Sequence, residues 1–243
     1  MMNPSSPKPT IVLEHGSFED GSIWNGVIQR LQRDGYPVVA AGNPLRGVAV
    51  DAAYLRSVVD RIKGPVILVA HSYGGAVITE AGADDPKVEG LVYAAAVMPA
   101  AGESCIQLIK RFPGSSFLSS VEQVPYTLPD GTSGTNLFYQ AGKFHSQVAA
   151  DVSANEAALM EATQRPIDMT ALSETLTSAA WTNKPVWQII TTQDLAIPLA
   201  EQRFEADRAH SRVTEVDSSH AVTVSHPDVV TNVIEQAARA TMH

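Results

Sequence analysis

The stretch Val69-Ala70-His71-Ser72-Tyr73-Gly74-Gly75 joins an apolar run, Val66 to Ala70, to a helical pattern over Ala76 to Gly82. A nucleophilic serine has to project from a sharp strand-to-helix turn, so the residues two before and two after it must be small enough for the backbones to pass. Ala70 and Gly74 meet that need, with Ala70 standing where glycine is commoner. The helix start behind Ser72 adds partial positive charge where an oxyanion would form. A small-x-Ser-x-Gly spacing arises readily by chance, and the alternative is a serine that only caps a helix. The strand–turn–helix context carries the weight here.

Working outward, Ile11 to Leu13, Pro37 to Ala41, Leu91 to Val97, Val186 to Thr191 and Arg212 to Val216 also read as strands. Several are apolar at every position, as in strands covered on both faces. Between them, Ile23, Val27, Ile28 and Leu31 mark one helix face, with Ser22 as N-cap and Gly35 as stop. Val50, Tyr54, Leu55, Val58 and Ile62 mark a second, closed by Gly64-Pro65, while Pro198 and Pro227 open two later helices. Such alternation predicts an α/β fold, a mostly parallel sheet with helices on both faces. The expected division is a core of residues 1–100 and 184–243 with an insertion over 101–183. That insertion is too long for a connecting loop and shows no convincing strand. It is Gly-, Pro- and Ser-rich early and helical from about Asn155 to Leu176, and predicts a small helical cap.

A serine attacks only if a base takes its proton and an acid holds that base. Of the seven histidines, His220 lies just after the last predicted strand and before the Pro227 helix, at the sheet end where ligands bind. His226 beside Pro227 reads as a helix-entry residue, and the side chain of His71 should point away from the serine's partner. His145 and His210 read as solvent-exposed, and His243 is terminal. Asp194, directly after the strand Val186 to Thr191, is the expected acid. Asp217 is its rival, but a residue so near His220 in the same loop would have to fold back on itself. The order Ser72, Asp194, His220 is that of this apparatus on a parallel sheet. The turn Glu14-His15-Gly16-Ser17-Phe18 ends the first strand, and the backbone amides of Ser17 and Tyr73 are the expected oxyanion donors. A purely structural turn at His15-Gly16 is the alternative, and the two readings overlap.

Taken together, His15-Gly16, Asp20-Gly21-Ser22-x-Trp24, His71-Ser72-Tyr73-Gly74-Gly75, Asp194-x-x-Ile197-Pro198 and Ser219-His220 resemble the α/β-hydrolase fold family. More closely, they resemble its small bacterial esterases related to plant methylesterases and hydroxynitrile lyases. The resemblance covers nearly the whole chain and is weakest in the cap. It implies a six-stranded parallel sheet lacking the leading hairpin. Hydroxynitrile lyases of this branch carry threonine after the first-turn histidine and lysine after the catalytic histidine. Gly16 and Ala221 stand there instead, which favours an esterase. Glu14 departs from the usual apolar residue, and a carboxylate there is either turned to the cap or buried at a cost.

The expected activity is hydrolysis of small, largely apolar carboxylic esters. Phe18 and the cap residues Phe112, Phe117, Leu118, Phe138, Tyr139, Phe144 and Trp181 are candidate pocket walls, the cap residues equally candidates for cap core. The alternatives are a lyase-like or cofactor-free non-hydrolytic enzyme, or a ligand receptor, on the same fold. Composition narrows the field further. At 243 residues, 44% hydrophobic and 18% charged, the chain can bury a full core without staples. Its single cysteine excludes a disulfide framework or a thiolate zinc module. A formal charge of −9 and no basic patch argue against nucleic acid. No histidine pair has metal-ligand spacing, and the first turn lacks the glycines that cradle a dinucleotide, so neither metal nor cofactor is expected. The Pro/Ser leader Met1 to Thr10 has no apolar run behind it, and Leu91 to Ala101 is too short to span a bilayer. The expected location is therefore cytoplasmic, with no membrane partner. Oligomeric state and the particular ester are not legible in the sequence.

Overall fold

The computed structural model describes residues 7–242, so Met1 to Ser6 of the leader and the terminal His243 lie outside it. Six parallel strands form the main sheet in the order β2-β1-β3-β4-β8-β9. They are β1 (Thr10–Glu14), β2 (Val38–Ala41), β3 (Val66–Ser72), β4 (Val88–Ala96), β8 (Val186–Thr191) and β9 (Arg212–Val216). The chain starts inside the sheet, steps to the β2 edge and crosses back past β1 to β3. The C-terminal ends of β1 and β3 therefore meet where the strand order reverses, with Glu14 paired to Ala70.

Alternation across the sheet explains how each face is filled. Val66, Leu68 and Ala70 of β3 pack toward α2 (Val48–Asp60) and α3 (Gly74–Ala81). Ile67 and Val69 pack toward α1 (Asn25–Arg33) and α11 (Pro227–Thr241). With both faces covered, β3 is buried along all but its last residue, as its unbroken apolar run implies.

Helix α1 is preceded by a 3-10 turn, Gly21–Trp24, whose cap is Asp20, not Ser22: the Asp20 carboxylate accepts from the Ser22 amide at 2.8 Å. Gly35, at φ 78°, ends α1 as expected. The buried face of α2 is Val48, Asp51, Ala52, Leu55 and Val59, an i, i+3, i+4, i+7 stripe. Val50 and Tyr54 lie outside that stripe and are more than half exposed, while Leu55 is buried and Val58 and Ile62 pack partly buried against the core, so the buried face is turned by about a quarter turn from the expected one. Pro198 and Pro227 stand at the starts of α9 (Leu199–Arg208) and α11 as expected.

Between β4 and β8 the insertion is not wholly helical. The short helices α4 (Cys105–Arg111), α5 (Phe117–Ser120), α6 (Phe144–Val148), α7 (Ala154–Ala162) and α8 (Met169–Ser173) are joined by a three-stranded antiparallel sheet. Its strands are β5 (Val121–Thr127), β6 (Ser133–Tyr139) and β7 (Ile167–Asp168). The physical reason is a hairpin whose turn holds Gly131 at φ 86°, between two runs of equal length paired from Val121↔Tyr139 to Thr127↔Ser133. The helical stretch expected over Asn155 to Leu176 is likewise split, with β7 following Pro166. No helix among the described residues is long and apolar enough to cross a membrane.

Candidate active site

Ser72 ends β3 at φ 53°, a left-handed conformation that a non-glycine residue rarely adopts. The strain is held by close packing on both sides. A side chain at Gly74 would come within 2.7 Å of the Glu14 carbonyl oxygen, so the smallness expected at this position is real. Leaving the elbow, the chain enters α3, whose N-terminus lies directly behind Ser72.

Three side chains from three strand ends meet here. His220, in the loop between β9 and α10 (Val222–Ser225), has its Nε2 2.9 Å from Ser72 Oγ. Its Nδ1 is 2.7 Å from Asp194 Oδ2. Asp194 is buried but well solvated by the protein: Oδ1 accepts from the Ala196 and Ile197 amides at 2.8 and 2.9 Å, and Oδ2 accepts from the Thr191 hydroxyl at 2.9 Å. Burial by itself would raise its pKa. The neighbouring His220 and these donors outweigh burial and hold the carboxyl below its ordinary range. Asp217 is exposed and accepts from the Thr192 hydroxyl at 3.2 Å, so it does not compete for His220. Gln202 of α9, which the sequence reading did not single out, fixes the Asp194 turn. Its side chain donates to the Ile197 carbonyl at 2.8 Å and accepts from the Thr191 amide at 3.0 Å.

Facing Ser72 is the turn after β1. His15 is buried and its Nε2 accepts from the Asn43 amide at 3.0 Å, while Nδ1 donates to the Gly16 carbonyl. Desolvation lowers the pKa of this ring, in keeping with a neutral imidazole. Asn43, also missed in the sequence, returns a bond from Nδ2 to the His15 carbonyl at 3.0 Å. Phe18, at φ 64°, anchors the far side by donating from its amide to the Arg165 carbonyl at 2.9 Å. Among the described residues, the amides of Ser17 and Tyr73 donate to no protein acceptor. Both residues line the cavity above Ser72.

That cavity opens to solvent, spans about 490 Å³ with its mouth included, and is walled mainly by apolar side chains. Of the expected walls, Phe18, Phe117 and Tyr139 line it. Phe112, Phe138 and Trp181 do not. Phe112 packs at a tilt against Phe204, with ring centroids 5.3 Å apart, and Trp181 donates to the Pro99 carbonyl beneath Arg208. Phe138 alternates with Tyr139 on β6 and so takes the opposite side of the strand. Leu118 is exposed, and Phe144 is core, packed edge-on against Tyr139 at 5.7 Å. Val97, Cys105, Ile109, Val148, Leu172, Ala196 and Ile197 also line it. Glu14 is not part of it. It is buried at 1% exposure on the α2 side of the sheet with Oε2 unpartnered, and burial, then the nearby Asp51, pushes its pKa well above the ordinary range.

The remaining histidines fall largely as read. His226 precedes α11, and His210 is exposed. His145 is instead half-buried, with Nε2 donating to the Val152 carbonyl at 2.9 Å.

A hydroxyl, an imidazole and a carboxylate in series, at the C-terminal edge of a parallel sheet, can shift a proton away from the hydroxyl while two free amides face the same space. The sequence pattern of the alpha/beta hydrolase family matches residues 11–233. The chain belongs to the alpha/beta hydrolase family. A fungal family member, the alpha/beta hydrolase nvfD of Aspergillus novofumigatus (strain IBT 16806), is 27% identical over 253 residues, spanning 95% of this chain and 97% of that one. Among solved structures, polyneuridine aldehyde esterase superposes with a TM-score of 0.82 at 18% identity, covering 95% of this chain and 99% of the other. A methylesterase from Arabidopsis superposes at 0.78 with 19% identity, covering 96% and 99%. The likeness to these two structures is one of fold.

Proposed function

We propose that this hydrolase cleaves carboxylic esters of small, largely apolar substrates through an acyl-enzyme on Ser72. The observation that carries the reading is the 2.9 Å approach of His220 Nε2 to Ser72 Oγ, with Asp194 on the other ring nitrogen. Ser72 Oγ attacks the ester carbonyl as His220 takes its proton. The Ser17 and Tyr73 amides receive the negative charge on the former carbonyl oxygen, helped by the N-terminus of α3. His220 returns the proton to the departing alcohol, then activates a water that releases the acid. Asp194 keeps Nδ1 protonated, so that Nε2 faces the serine as an acceptor. The apolar walls supported by Phe18, Phe117 and Tyr139 suit an uncharged acyl group, and both neighbours named above as esterases share the fold.

The test is labelling by a fluorophosphonate together with turnover of short-chain p-nitrophenyl esters. Labelling of the native protein and its loss in Ser72→Ala are expected. Equal labelling of both proteins would overturn the nucleophile, and a single slow event in place of turnover would make the chain a receptor.

A further inference from the structure

A second series of polar groups lies behind Ser72 and His220, and the reaction proposed above does not use it. Its centre is His71, the residue before Ser72, which is 1% exposed. His71 Nδ1 is 2.6 Å from Glu19 Oε1, and its Nε2 is 2.7 Å from the backbone carbonyl oxygen of His220. Both neighbours are acceptors. A neutral imidazole has one N–H and would set a lone pair against one of these oxygens, whereas an imidazolium donates to both. Glu19, itself buried, supplies the counter-charge. The charged groups around the ring are Glu19, on the turn after β1, and Asp194, behind His220; both are anionic and both favour the cation. Burial disfavours charge on either partner, yet their pairing prevails, with His71 shifted up and Glu19 shifted down.

The same Glu19 Oε1 also accepts from the Gly16 amide at 2.6 Å. One carboxylate oxygen thus joins the turn that carries the Ser17 amide to the residue beside Ser72. The imidazolium then joins that residue to the main chain of His220, with the two histidine rings 4.7 Å apart. A buried ion pair contributes little net stability against its well-packed apolar replacement, and its attested use is to fix geometry.

We infer that Glu19 and His71 are positioning residues, an ion-paired brace that holds the oxyanion-binding turn and the His220 loop in register with Ser72. The inference rests on the serine-hydrolase reading. Displacements of about 1 Å in such a site cost on the order of 100-fold in rate. Glu19→Gln keeps the shape and removes the charge, so kcat on a p-nitrophenyl ester is expected to fall about 10- to 100-fold with KM changed less than about twofold. His71→Gln should behave alike. Because the two act as one unit, the double variant should be no worse than the worse single one.

The readout that a merely structural pair would not move is the protonation of the ring. In ¹⁵N-histidine NMR of the native protein, both His71 nitrogens should still carry protons at pH 7 and somewhat above, past the ordinary imidazole pKa of about 6.5. In Glu19→Gln one nitrogen should have lost its proton there, and Glu19→Asp, which keeps the charge, should restore it. A neutral His71 in the native protein at pH 7 overturns the brace, and this measurement needs no variant to fold. Unchanged kcat in Glu19→Gln, or additive losses in the double variant, overturns it as well. Failure of the hydrolase reading looks different: Ser72→Ala would then retain full turnover, whatever the state of His71.

Discussion

A side chain on Gly16 would begin 2.5 Å from the Cβ of Ser72. It would also stand 2.9 Å from both Glu19 Oε1 and the His71 carbonyl oxygen, so three separate contacts exclude even a methyl group. The glycine is there to let the turn after β1 approach the elbow. Gly16→Ala should therefore push the Ser17 amide away from the place where an oxyanion forms. We expect kcat on p-nitrophenyl acetate to fall at least about 100-fold and the thermal midpoint to drop as the turn gives way, while circular dichroism keeps the native signature.

Asp194→Asn tests the proton bookkeeping at His220. Asp194 Oδ1 is committed to the Ala196 and Ile197 amides, so the amide nitrogen of an asparagine would take the Oδ2 position and donate to His220 Nδ1. That forces the ring proton onto Nε2, facing Ser72 with the wrong polarity. A fall in kcat of about 10⁴-fold is expected, with KM little altered. Fluorophosphonate labelling should slow in parallel, and a variant labelled at the native rate would remove Asp194 from the proposed mechanism.

Glu14 supplies a stability prediction with a defined sign. Its carboxyl is buried with one oxygen unpartnered, and its pKa in the folded protein is raised by burial and by Asp51. Folding therefore holds the proton that the unfolded chain releases above its ordinary pKa of about 4.3. The protein loses stability as pH rises from that value toward the raised one, and then levels off. Glu14→Gln has no proton to lose. Urea unfolding should show the variant gaining on the native protein between about pH 5 and about pH 8, and a constant difference across that range would contradict the buried carboxyl.

Phe117 is the cap aromatic that reaches both the cavity and the Phe18 ring, at 6.0 Å between centroids. Phe117→Ala should lengthen the pocket. The ratio of kcat/KM for octanoate to butyrate p-nitrophenyl esters is expected to rise about 10-fold, with labelling of Ser72 retained. An unchanged ratio would place the acyl chain elsewhere.

The sequence made Ser72, Asp194 and His220 legible for a physical reason: each sits where an apolar run stops, and parallel strands deliver their C-terminal ends to one rim. Chain order and the small residues around the elbow did the rest. Glu19 was not legible, because its partner His71 lies across the turn and only the folded β1–β3 pair brings them together. The cap strands carried a usable signal in Asp130-Gly131 between two runs of equal length. It was obscured by Pro125 and by a strand β5 with no buried residue along it, which leaves no apolar stripe to read. Pocket walls were the least accessible. Phe138 and Tyr139 are adjacent and equally aromatic, and only the pleat decides that one meets the cavity while the other does not.

Every side chain hydrogen-bonded to Asp194 or to the His220 ring comes from the strand ends of the main sheet. Cys105, Ile109, Phe117, Tyr139, Val148 and Leu172, by contrast, all come from the insertion between β4 and β8. The hydrogen-bonded series and much of the cavity wall thus come from different pieces of the gene. A different insertion grafted between the same two strands would reshape the guest space, provided it still offered main-chain oxygens where those of Arg165 and Val148 now hold the Phe18 and Ala221 amides.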